Sequence, residues 1–304
     1  TITVGEMSAT SVENCIGYTR PHNKELDMVF SFHHLKVDYM NKEKWTSMPF
    51  DFQELKDLLH TWQVKMQEGN GWNALFWNCH DQPRSVSRFG NDKEYRKESA
   101  KMLATAIYMM RGTPYIYQGE EIGMTNHYFT DIQQYQDVES INAYHILKEK
   151  GLDEEDIHKI LQEKSRDNSR TPMQWNGSLN GGFSDVKPWL QSNQNYKEIN
   201  VENDLKDTDS IFRYYQKLIQ LRKTYKIISE GTYVPYLEED DSVFAYKRYY
   251  QDEELIVVNN FYGENITVNI PHIHEYKVLV SNYQEQDLQA TLTLRPYETI
   301  AFYK

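Results

Sequence analysis

The segment at residues 76–84, FWNCHDQPR, is the part of the sequence that decides the fold. An apolar run at residues 72–77 precedes it and ends at His80-Asp81-Gln82, and Pro83 then blocks continuation of a strand. Such a run followed by a turn is typical of a buried strand in a parallel sheet. Barrel enzymes place catalytic side chains at the carboxyl ends of such strands. The segment predicts a catalytic His-Asp pair or, with equal weight, a helix-capping Asp81 beside a core histidine.

The composition is that of a folded acidic protein with room for two domains. Of the 304 residues, 39% are hydrophobic and 26% are charged, and the formal net charge is −12 at pH 7. This balance excludes a disordered chain and argues against nucleic acid or an anionic membrane as the main partner. Aromatic residues make up 13% of the chain, which suits a carbohydrate-binding cleft and an ordinary core equally well.

Cysteine usage and the first residues indicate the cellular setting. The two cysteines, Cys15 and Cys79, have no metal-binding spacing, so the sequence predicts no cysteine-bound metal, and we expect a cytoplasmic protein. No signal peptide and no apolar run of membrane-spanning length is found in the sequence. The chain begins at Thr1 with residues that resemble the interior of a strand, so we expect the N-terminal part of a longer protein to be absent.

Strands and helices alternate along the first part of the chain. The predicted strands span residues 1–7, 26–37, 72–77 and 115–118, and the predicted helices between them span residues 12–18, 51–66 and 94–110. Asp51 is the expected N-cap of the second helix, and Gly112 is expected directly after the third. This order predicts parallel β/α units, with four strands that make half of an eight-stranded barrel.

Two further regions follow the predicted β/α units: a long polar insertion and a segment rich in short strands. A polar insertion runs from Thr125 to about Asp207, with predicted helices at residues 138–150 and 153–163, and a closing helix follows at residues 211–223. From about Thr224 onward, short alternating segments predict an antiparallel β domain. The predicted fold class is α/β plus all-β. Residues 1–225 form the C-terminal half of a (β/α)8 TIM barrel, and residues 226–304 form a small antiparallel β-sandwich domain.

Two further groups of polar residues follow predicted strands. Glu6 comes at the end of the first strand, although an isolated glutamate there is also typical of a solvated strand edge. His33, His34 and Lys36 come at the end of the second strand. Two imidazoles and an ammonium would complement an anionic group such as phosphate, and the alternative is a solvated basic loop.

Taken together, the motifs resemble the family-thirteen glycoside hydrolases, the α-amylase superfamily. VGEM at 4–7 is similar to the fifth-strand motif of that family, and HDQPR at 80–84 to the seventh-strand motif. GTPYIYQGEEIGMTN at 112–126 and RDNSRTPMQW at 166–175 are similar to the oligo-1,6-glucosidase branch. Within that branch, SFHHLKVDY at 31–39 and WNALFW at 72–77 most resemble the members that hydrolyse trehalose 6-phosphate.

The resemblance implies a reaction and a role for each candidate residue. The implied reaction is retaining hydrolysis of trehalose 6-phosphate to glucose and glucose 6-phosphate, without a cofactor. Glu6 matches the general acid/base, and Asp81 matches the second carboxylate, which stabilises the transition state. His80 and Arg166 match residues that hold the glucose in the cleaved subsite.

The second-strand end supports a phosphorylated substrate. Relatives that cleave isomaltose-type sugars usually carry an acidic sequence at that strand end, whereas this chain carries His33, His34 and Lys36. The resemblance therefore assigns these three residues to the phosphate group.

The chain also departs from the family pattern. The family's nucleophile, an aspartate at the end of the fourth strand, would lie upstream of Thr1, and nothing in this chain replaces it. We therefore expect the chain alone to be inactive, with the missing N-terminal half of the barrel as its partner. Cys79 stands where relatives usually carry asparagine, which puts one sugar contact in doubt. Two alternatives stay open: an oligo-1,6-glucosidase, and a catalytically inactive fragment or scaffold.

Overall fold

Four parallel strands form the first sheet of the computed structural model, which describes residues 1–284 and 289–304. The strands are β1 (Val4–Met7), β2 (Met28–Ser31), β3 (Asn73–Leu75) and β4 (Thr113–Pro114), paired in sequence order. Val4 lies opposite Met28, and Ala74 lies opposite both Phe30 and Thr113. The predicted run of parallel strands is confirmed. Within the described part of the chain, β1 and β4 each pair with one strand only, so both sheet edges are open.

Helices follow or connect these strands and fill the insertion. They are α1 (Val12–Thr19), α2 (Phe52–Glu68), α3 (Ser85–Phe89), α4 (Arg96–Tyr108), α5 (Val138–Glu149), α6 (Glu154–Lys164), α7 (Val201–Lys206), α8 (Ile211–Thr224) and α9 (Lys226–Glu230). Asp51 caps α2 as predicted, because its carboxylate accepts the backbone N–H of Glu54 at 2.9 Å. None of the helices described is both long and apolar enough to cross a membrane.

Two strand predictions were wrong in extent. The strand expected at residues 26–37 ends at Ser31, and a 3₁₀ turn at His33–Leu35 replaces its last part. The strand expected at residues 115–118 lies instead at Thr113–Pro114. Tyr115 still donates its N–H to the Leu75 carbonyl at 2.8 Å, but the chain then leaves the sheet to make a turn.

Gly112 has a different role from the one predicted. Met109 is the C-cap of α4, so Gly112 lies beyond the helix end and enters β4 with a φ of +142°. A Cβ atom at this position would lie 2.6 Å from the carbonyl oxygen of Asn73 in β3. Glycine is therefore required here because the two strands approach closely.

The C-terminal part forms two antiparallel sheets. Its strands are β5 (Thr232–Tyr236), β6 (Val243–Tyr250), β7 (Glu253–Asn260), β8 (Ile266–Asn269), β9 (Lys277–Ser281), β10 (Thr291–Leu294) and β11 (Thr299–Tyr303). The larger sheet has the order β5-β6-β7-β11-β9, and β10 pairs with β8 in the smaller one. Val258, Val268, Leu292 and Leu294 belong to one buried cluster shared by the two sheets. The predicted small antiparallel β-sandwich is confirmed, and β5, which contains Pro235, was not predicted.

One hydrophobic core joins the helices around the parallel sheet to the larger antiparallel sheet. It includes Leu103 and Ile107 of α4 together with Tyr246 and Val257 of β6 and β7. The buried guanidinium of Arg248 strengthens this contact, since it donates to the carbonyls of Met109 and Ile228 at 2.8 Å each. The division of the chain at residue 225 stays a prediction, because the two parts share this core.

Candidate active site

Side chains from the carboxyl ends of all four parallel strands border one hollow. It is lined by Glu6, Phe30, Phe32, Phe76, Asn78, Cys79, His80, Tyr115, Ile116 and Tyr117. Its floor is aromatic, because the Phe30 ring packs edge-on against Phe76 at 4.9 Å and against Tyr115 at 4.6 Å between centroids. Two of the predicted site residues, Glu6 and His80, therefore meet at the strand ends, as the parallel arrangement requires.

Glu6 lies on the open-edge strand β1 and is exposed. Among the described residues, its carboxylate has no hydrogen-bond or ion-pair partner. Such a group is free to turn toward a ligand that enters the hollow. The same exposure fits the alternative of a solvated edge charge, so the role of Glu6 stays a prediction.

Asp81 is held by two arginines of the insertion. Its Oδ1 accepts hydrogen bonds from Arg166 Nη1 at 3.1 Å and from Arg170 Nη2 at 2.8 Å, and His80 Nε2 lies 3.3 Å from its Oδ2. Burial raises the pKa of Asp81, but the Arg166 bond, the nearby positive charges and the Arg170 bond outweigh this effect and lower it. Asp81 does not cap a helix, since the N-cap of α3 is Arg84.

The insertion binds the backbone of the same turn as well. Arg170 Nε donates to the carbonyl of His80 at 2.8 Å, and the Ser169 hydroxyl donates to the carbonyl of Gln82. In return, Arg84 Nη2 donates to the carbonyl of Ser169 at 3.3 Å. The 3₁₀ segment Arg166–Ser169 and the turn that carries His80 and Asp81 thus fix one another.

A second set of carboxylates orients Arg166 from the side of α5. Asp137 is the N-cap of α5, and its Oδ1 accepts a hydrogen bond from Arg166 Nε at 2.9 Å. Glu139 Oε2 lies 3.4 Å from Arg166 Nη2. Asp137 also accepts the backbone N–H of Ser140 at 3.2 Å, so its own position is fixed by the helix end. Because Arg166 is held from two sides, its guanidinium has a defined position beside Asp81.

Cys79 lies within electrostatic reach of both predicted carboxylates, Glu6 and Asp81. Its Sγ accepts the backbone N–H of Asp81 at 3.4 Å. Burial raises the pKa of the thiol to about 11, and the charges of Asp81 and Glu6 add to the rise. Cys79 is therefore a neutral side chain with weak hydrogen-bonding capacity, where an asparagine would offer an amide.

The three basic residues after β2, His33, His34 and Lys36, each have a different hydrogen-bond partner. His33 Nδ1 lies 3.1 Å from Ser31 Oγ, and its ring packs on Trp62 of α2 at 5.2 Å. His34 Nε2 lies 2.9 Å from the carbonyl oxygen of Phe76. Burial lowers the pKa of His34 to about 4. At neutral pH His34 is therefore uncharged, and it contributes packing rather than positive charge.

Lys36 reaches toward the end of β1. Its Nζ donates to the Ser8 carbonyl at 2.5 Å and to the Ser8 hydroxyl at 3.3 Å. Burial, followed by the charge of Lys36, lowers the pKa of His33, so these two groups lie within electrostatic reach of each other. Lys36 thus places an ammonium group against the chain that follows Glu6.

Sequence reasoning missed three residues of this arrangement. Arg170 lies in the motif at residues 166–175 but was assigned no role, although it shares Asp81 Oδ1 with Arg166. Asn78 and Glu120 were not singled out, yet the Asn78 amide donates to the buried Glu120 carboxylate at 2.8 Å. The doubled Glu120-Glu121 after β4 was the one available signal. Nowhere in residues 1–284 and 289–304 do three His, Cys, Asp or Glu side chains converge to hold a metal ion.

Comparison with known proteins then decides the family. A family model described as the alpha-amylase catalytic domain matches residues 1–231. The chain belongs to the alpha-amylase family. A second model, the C-terminal domain of the alpha-amylase SusG, matches residues 243–301 of this alpha-amylase family member. In this family the four parallel strands are the C-terminal half of the (β/α)8 barrel, as the sequence predicted.

This alpha-amylase family chain is similar to longer relatives, of which it covers about half. It is 58% identical to the trehalose-6-phosphate hydrolase of Bacillus subtilis over 99% of the chain, which covers 54% of that relative. It is 49% identical to an oligo-1,6-glucosidase of Halalkalibacterium halodurans over 98% of the chain and 54% of the relative.

A solved structure also matches this chain over about half of its own length. The crystal structure of the Bacillus licheniformis trehalose-6-phosphate hydrolase superimposes with a TM-score of 0.96 and is 55% identical in sequence. That match covers 100% of this chain and 56% of the other. The chain thus spans about half the length of the relatives it matches.

Proposed function

We propose that the complete protein, of which this chain forms part, hydrolyses trehalose 6-phosphate to glucose and glucose 6-phosphate with retention at the anomeric carbon. The observation that carries the proposal is the joint placement of Glu6, His80 and Asp81. Glu6 and His80 border one hollow, and two arginines keep Asp81 ionised beside His80. The 58% identity to a trehalose-6-phosphate hydrolase supports the choice of substrate.

Glu6 acts as the general acid and then as the general base. In the first step it protonates the glycosidic oxygen as the leaving group departs, and in the second it takes a proton from the attacking water. Its exposed position at the end of β1 gives it access to a bond held in the hollow. The nucleophilic carboxylate comes from the fourth strand of the barrel, which this chain does not contain.

Asp81 stabilises the positive charge that develops on the sugar ring. It does so as an anion, because Arg166 and Arg170 lower its pKa. The same two arginines hold it rigidly, so little reorganisation is needed when the transition state forms. His80 and Arg166 hold the glucose ring, and the side chain of His80 is largely exposed and able to donate to a sugar hydroxyl.

Lys36 and His33 recognise the phosphate group. Lys36 carries the positive charge, and His33 adds a hydrogen bond, whereas the uncharged His34 supports the turn through Phe76. Charge-assisted hydrogen bonds contribute about 1.5–3 kcal/mol each, which is enough to separate phosphorylated from plain disaccharides.

A second candidate function is hydrolysis of isomaltose-type sugars. The 49% identity to an oligo-1,6-glucosidase favours it, and the hollow would hold the same glucose in either case. The difference lies in the group beyond the scissile bond, where only the phosphorylated substrate needs a cation.

The deciding experiment measures kcat/KM of the complete protein on trehalose 6-phosphate and on isomaltose at equal ionic strength. We expect a preference for the phosphorylated sugar of about a hundredfold, as two charge-assisted hydrogen bonds would give. A preference for isomaltose would instead establish the oligo-1,6-glucosidase. Failure to hydrolyse either sugar would leave the non-catalytic scaffold.

A further inference from the structure

We propose that Glu120 is a positioning residue that sets the place of Asp81 and His80 through the side chain of Asn78. The proposal rests on the proposed hydrolase function, because Asp81 and His80 take their roles from it. The Glu120 carboxylate lies outside the hollow, so its proposed role requires no contact with the substrate.

Asn78 closes the turn that carries the two site residues. Its Oδ1 accepts the backbone N–H of Ser85 at 2.7 Å, and its Nδ2 donates to the Ser85 hydroxyl at 2.8 Å. Residues 79–84 therefore form a loop whose two ends are joined by one amide group. A rotation of that amide changes the width of the loop, and with it the position of His80 and Asp81.

Glu120 determines how the amide is oriented. Its Oε2 accepts the second proton of Asn78 Nδ2 at 2.8 Å, and its Oε1 accepts hydroxyls of Tyr215 at 2.8 Å and Tyr108 at 2.9 Å. Since an ionised carboxylate only accepts hydrogen bonds, the Nδ2 side of Asn78 must face it. The amide oxygen of Asn78 is then left to accept the backbone N–H of Ser85.

The carboxylate is itself fixed by the helices behind the sheet. Tyr108 belongs to α4 and Tyr215 to α8, and these helices pack against each other. Glu120 is buried together with both tyrosines. Burial raises the pKa of Glu120, and the hydrogen bonds from Asn78, Tyr215 and Tyr108 oppose this rise. The neighbouring charged groups are Glu121 and Arg84, and among the described residues the Asn78 side chain is hydrogen-bonded to neither of them.

A glutamine at position 120 would keep the volume but break the pattern. Its amide nitrogen can only donate, so either Asn78 or the tyrosine pair would lose an acceptor. The loop ends would then be held less firmly. Because Glu120 acts through Asp81, which stabilises the transition state, its loss should lower kcat more than it raises KM through His80.

The test is a double-mutant cycle in the complete protein, with Glu120→Gln and Asp81→Asn made singly and together. We expect Glu120→Gln alone to lower kcat about tenfold with KM changed less than about twofold. In the Asp81→Asn background the same change should have much less effect, because the group that it positions is already altered. Glu121→Gln is the matched control, as a neighbouring half-buried carboxylate outside this network, and should leave kcat unchanged.

A second readout does not depend on turnover. The cationic iminosugar 1-deoxynojirimycin should bind the Glu120→Gln variant more weakly by calorimetry, and this loss should shrink in the Asp81→Asn background. Equal losses in both backgrounds, by either readout, would show that Glu120 only supports the fold and would overturn the proposal. A wild-type protein that binds the iminosugar but hydrolyses no glucoside would overturn the proposed function, and the binding cycle would still decide the role of Glu120.

Discussion

Asp81 Oδ1 accepts one hydrogen bond from Arg166 and another from Arg170, at 3.1 and 2.8 Å. The two arginines lie 85 and 89 residues further along the chain, in an insertion that follows the last strand of the parallel sheet. The insertion is therefore part of the candidate site rather than a peripheral addition. Its arginines lower the pKa of Asp81, and the first prediction concerns that effect.

Replacing Arg170 with glutamine in the complete protein should lower kcat/KM by tenfold or more, as loss of a charge-assisted hydrogen bond of about 1.5–3 kcal/mol would do. It should also move the acid limb of the pH–rate profile to higher pH. The pKa of Asp81 is lowered in part by Arg170, so removing the guanidinium raises this pKa and Asp81 protonates sooner on acidification. The measurement is kcat/KM against pH, with Arg213→Gln on the exposed face of α8 as control. An unmoved acid limb would show that Arg170 does not act through the charge of Asp81.

Lys36→Ala should reduce kcat/KM on trehalose 6-phosphate by about one to two powers of ten. Hydrolysis of an uncharged aryl glucoside should change little, because Glu6, Asp81 and Arg166 stay in place. Lys42→Ala, an exposed lysine on the following turn, is the matched control. Parallel losses on the two substrates would mean instead that Lys36 serves mainly to hold Ser8 at the end of β1.

Glu6→Gln should abolish hydrolysis of trehalose 6-phosphate but spare a dinitrophenyl glucoside. The second substrate has a leaving group that departs without protonation, so only the natural substrate needs the acid. Comparison of kcat for the first step on both substrates provides the measurement. Glu13→Gln on α1 should match the wild type. If both substrates lost activity equally, Glu6 would not be the general acid.

The 304-residue chain by itself should show no glucosidase activity. It is expected to lack the nucleophile, and loss of one member of a catalytic unit typically costs a factor of about 10⁴ or more. The assay is turnover of a nitrophenyl α-glucoside by the purified chain, with the complete protein as the positive control. Measurable turnover would require a nucleophile within these residues.

A buried ion cluster should contribute strongly to stability. The Asp38 carboxylate binds Arg88 Nη2 at 2.6 Å and Lys164 Nζ at 2.5 Å, which joins the turn after β2 to α3 and α6. Asp38→Asn should lower the free energy of unfolding by about 3–5 kcal/mol, because two buried cations lose their counterion. Urea unfolding of the variant and of Asp57→Asn, an exposed carboxylate on α2, measures the effect.

The same cluster gives a pH dependence with a definite sign. Burial raises the pKa of Asp38, but Arg88 and Lys164 outweigh it, so the folded-state pKa lies below its ordinary value. The stabilisation is therefore complete above the unfolded-state pKa of about 3.9 and disappears as the pH falls through the folded-state value. The wild type and Asp38→Asn should converge in stability in that acidic range. A difference that stayed constant down to the lowest pH would assign the effect to packing.

The order of strands and helices was predictable because it depends on local signals. Asp51 with Glu54 three residues later marked the start of α2, and alternating residues marked the strands of the sandwich. Strand lengths were less predictable, since the turn at His33–Leu35 has no glycine or proline to announce it. In β5, Pro235 interrupts a pattern that is otherwise typical of a strand.

The candidate residues were identified by motif, but the contacts between them were not. Asn78 and Glu120 are 42 residues apart, and nothing local distinguishes a buried carboxylate from an exposed one. The two histidines after β2 had the same signal in the sequence, yet burial lowers the pKa of His34 to about 4 and leaves its ring neutral. Such differences arise from tertiary packing, which a single sequence does not encode in a short window.

Lys56 of α2 is buried and donates to the backbone carbonyls of Leu237, Glu238 and Asp240, at 2.8, 2.9 and 2.5 Å. Arg248 makes the reverse connection from β6 to the end of α4. Each part of the chain, before and after residue 225, therefore contributes a buried cation that binds backbone carbonyls of the other part. Recombination between relatives at the junction near residue 225 would leave a buried cation facing a foreign loop. A stable chimera should inherit α2 together with the loop at residues 237–240, and the end of α4 together with position 248, from the same parent.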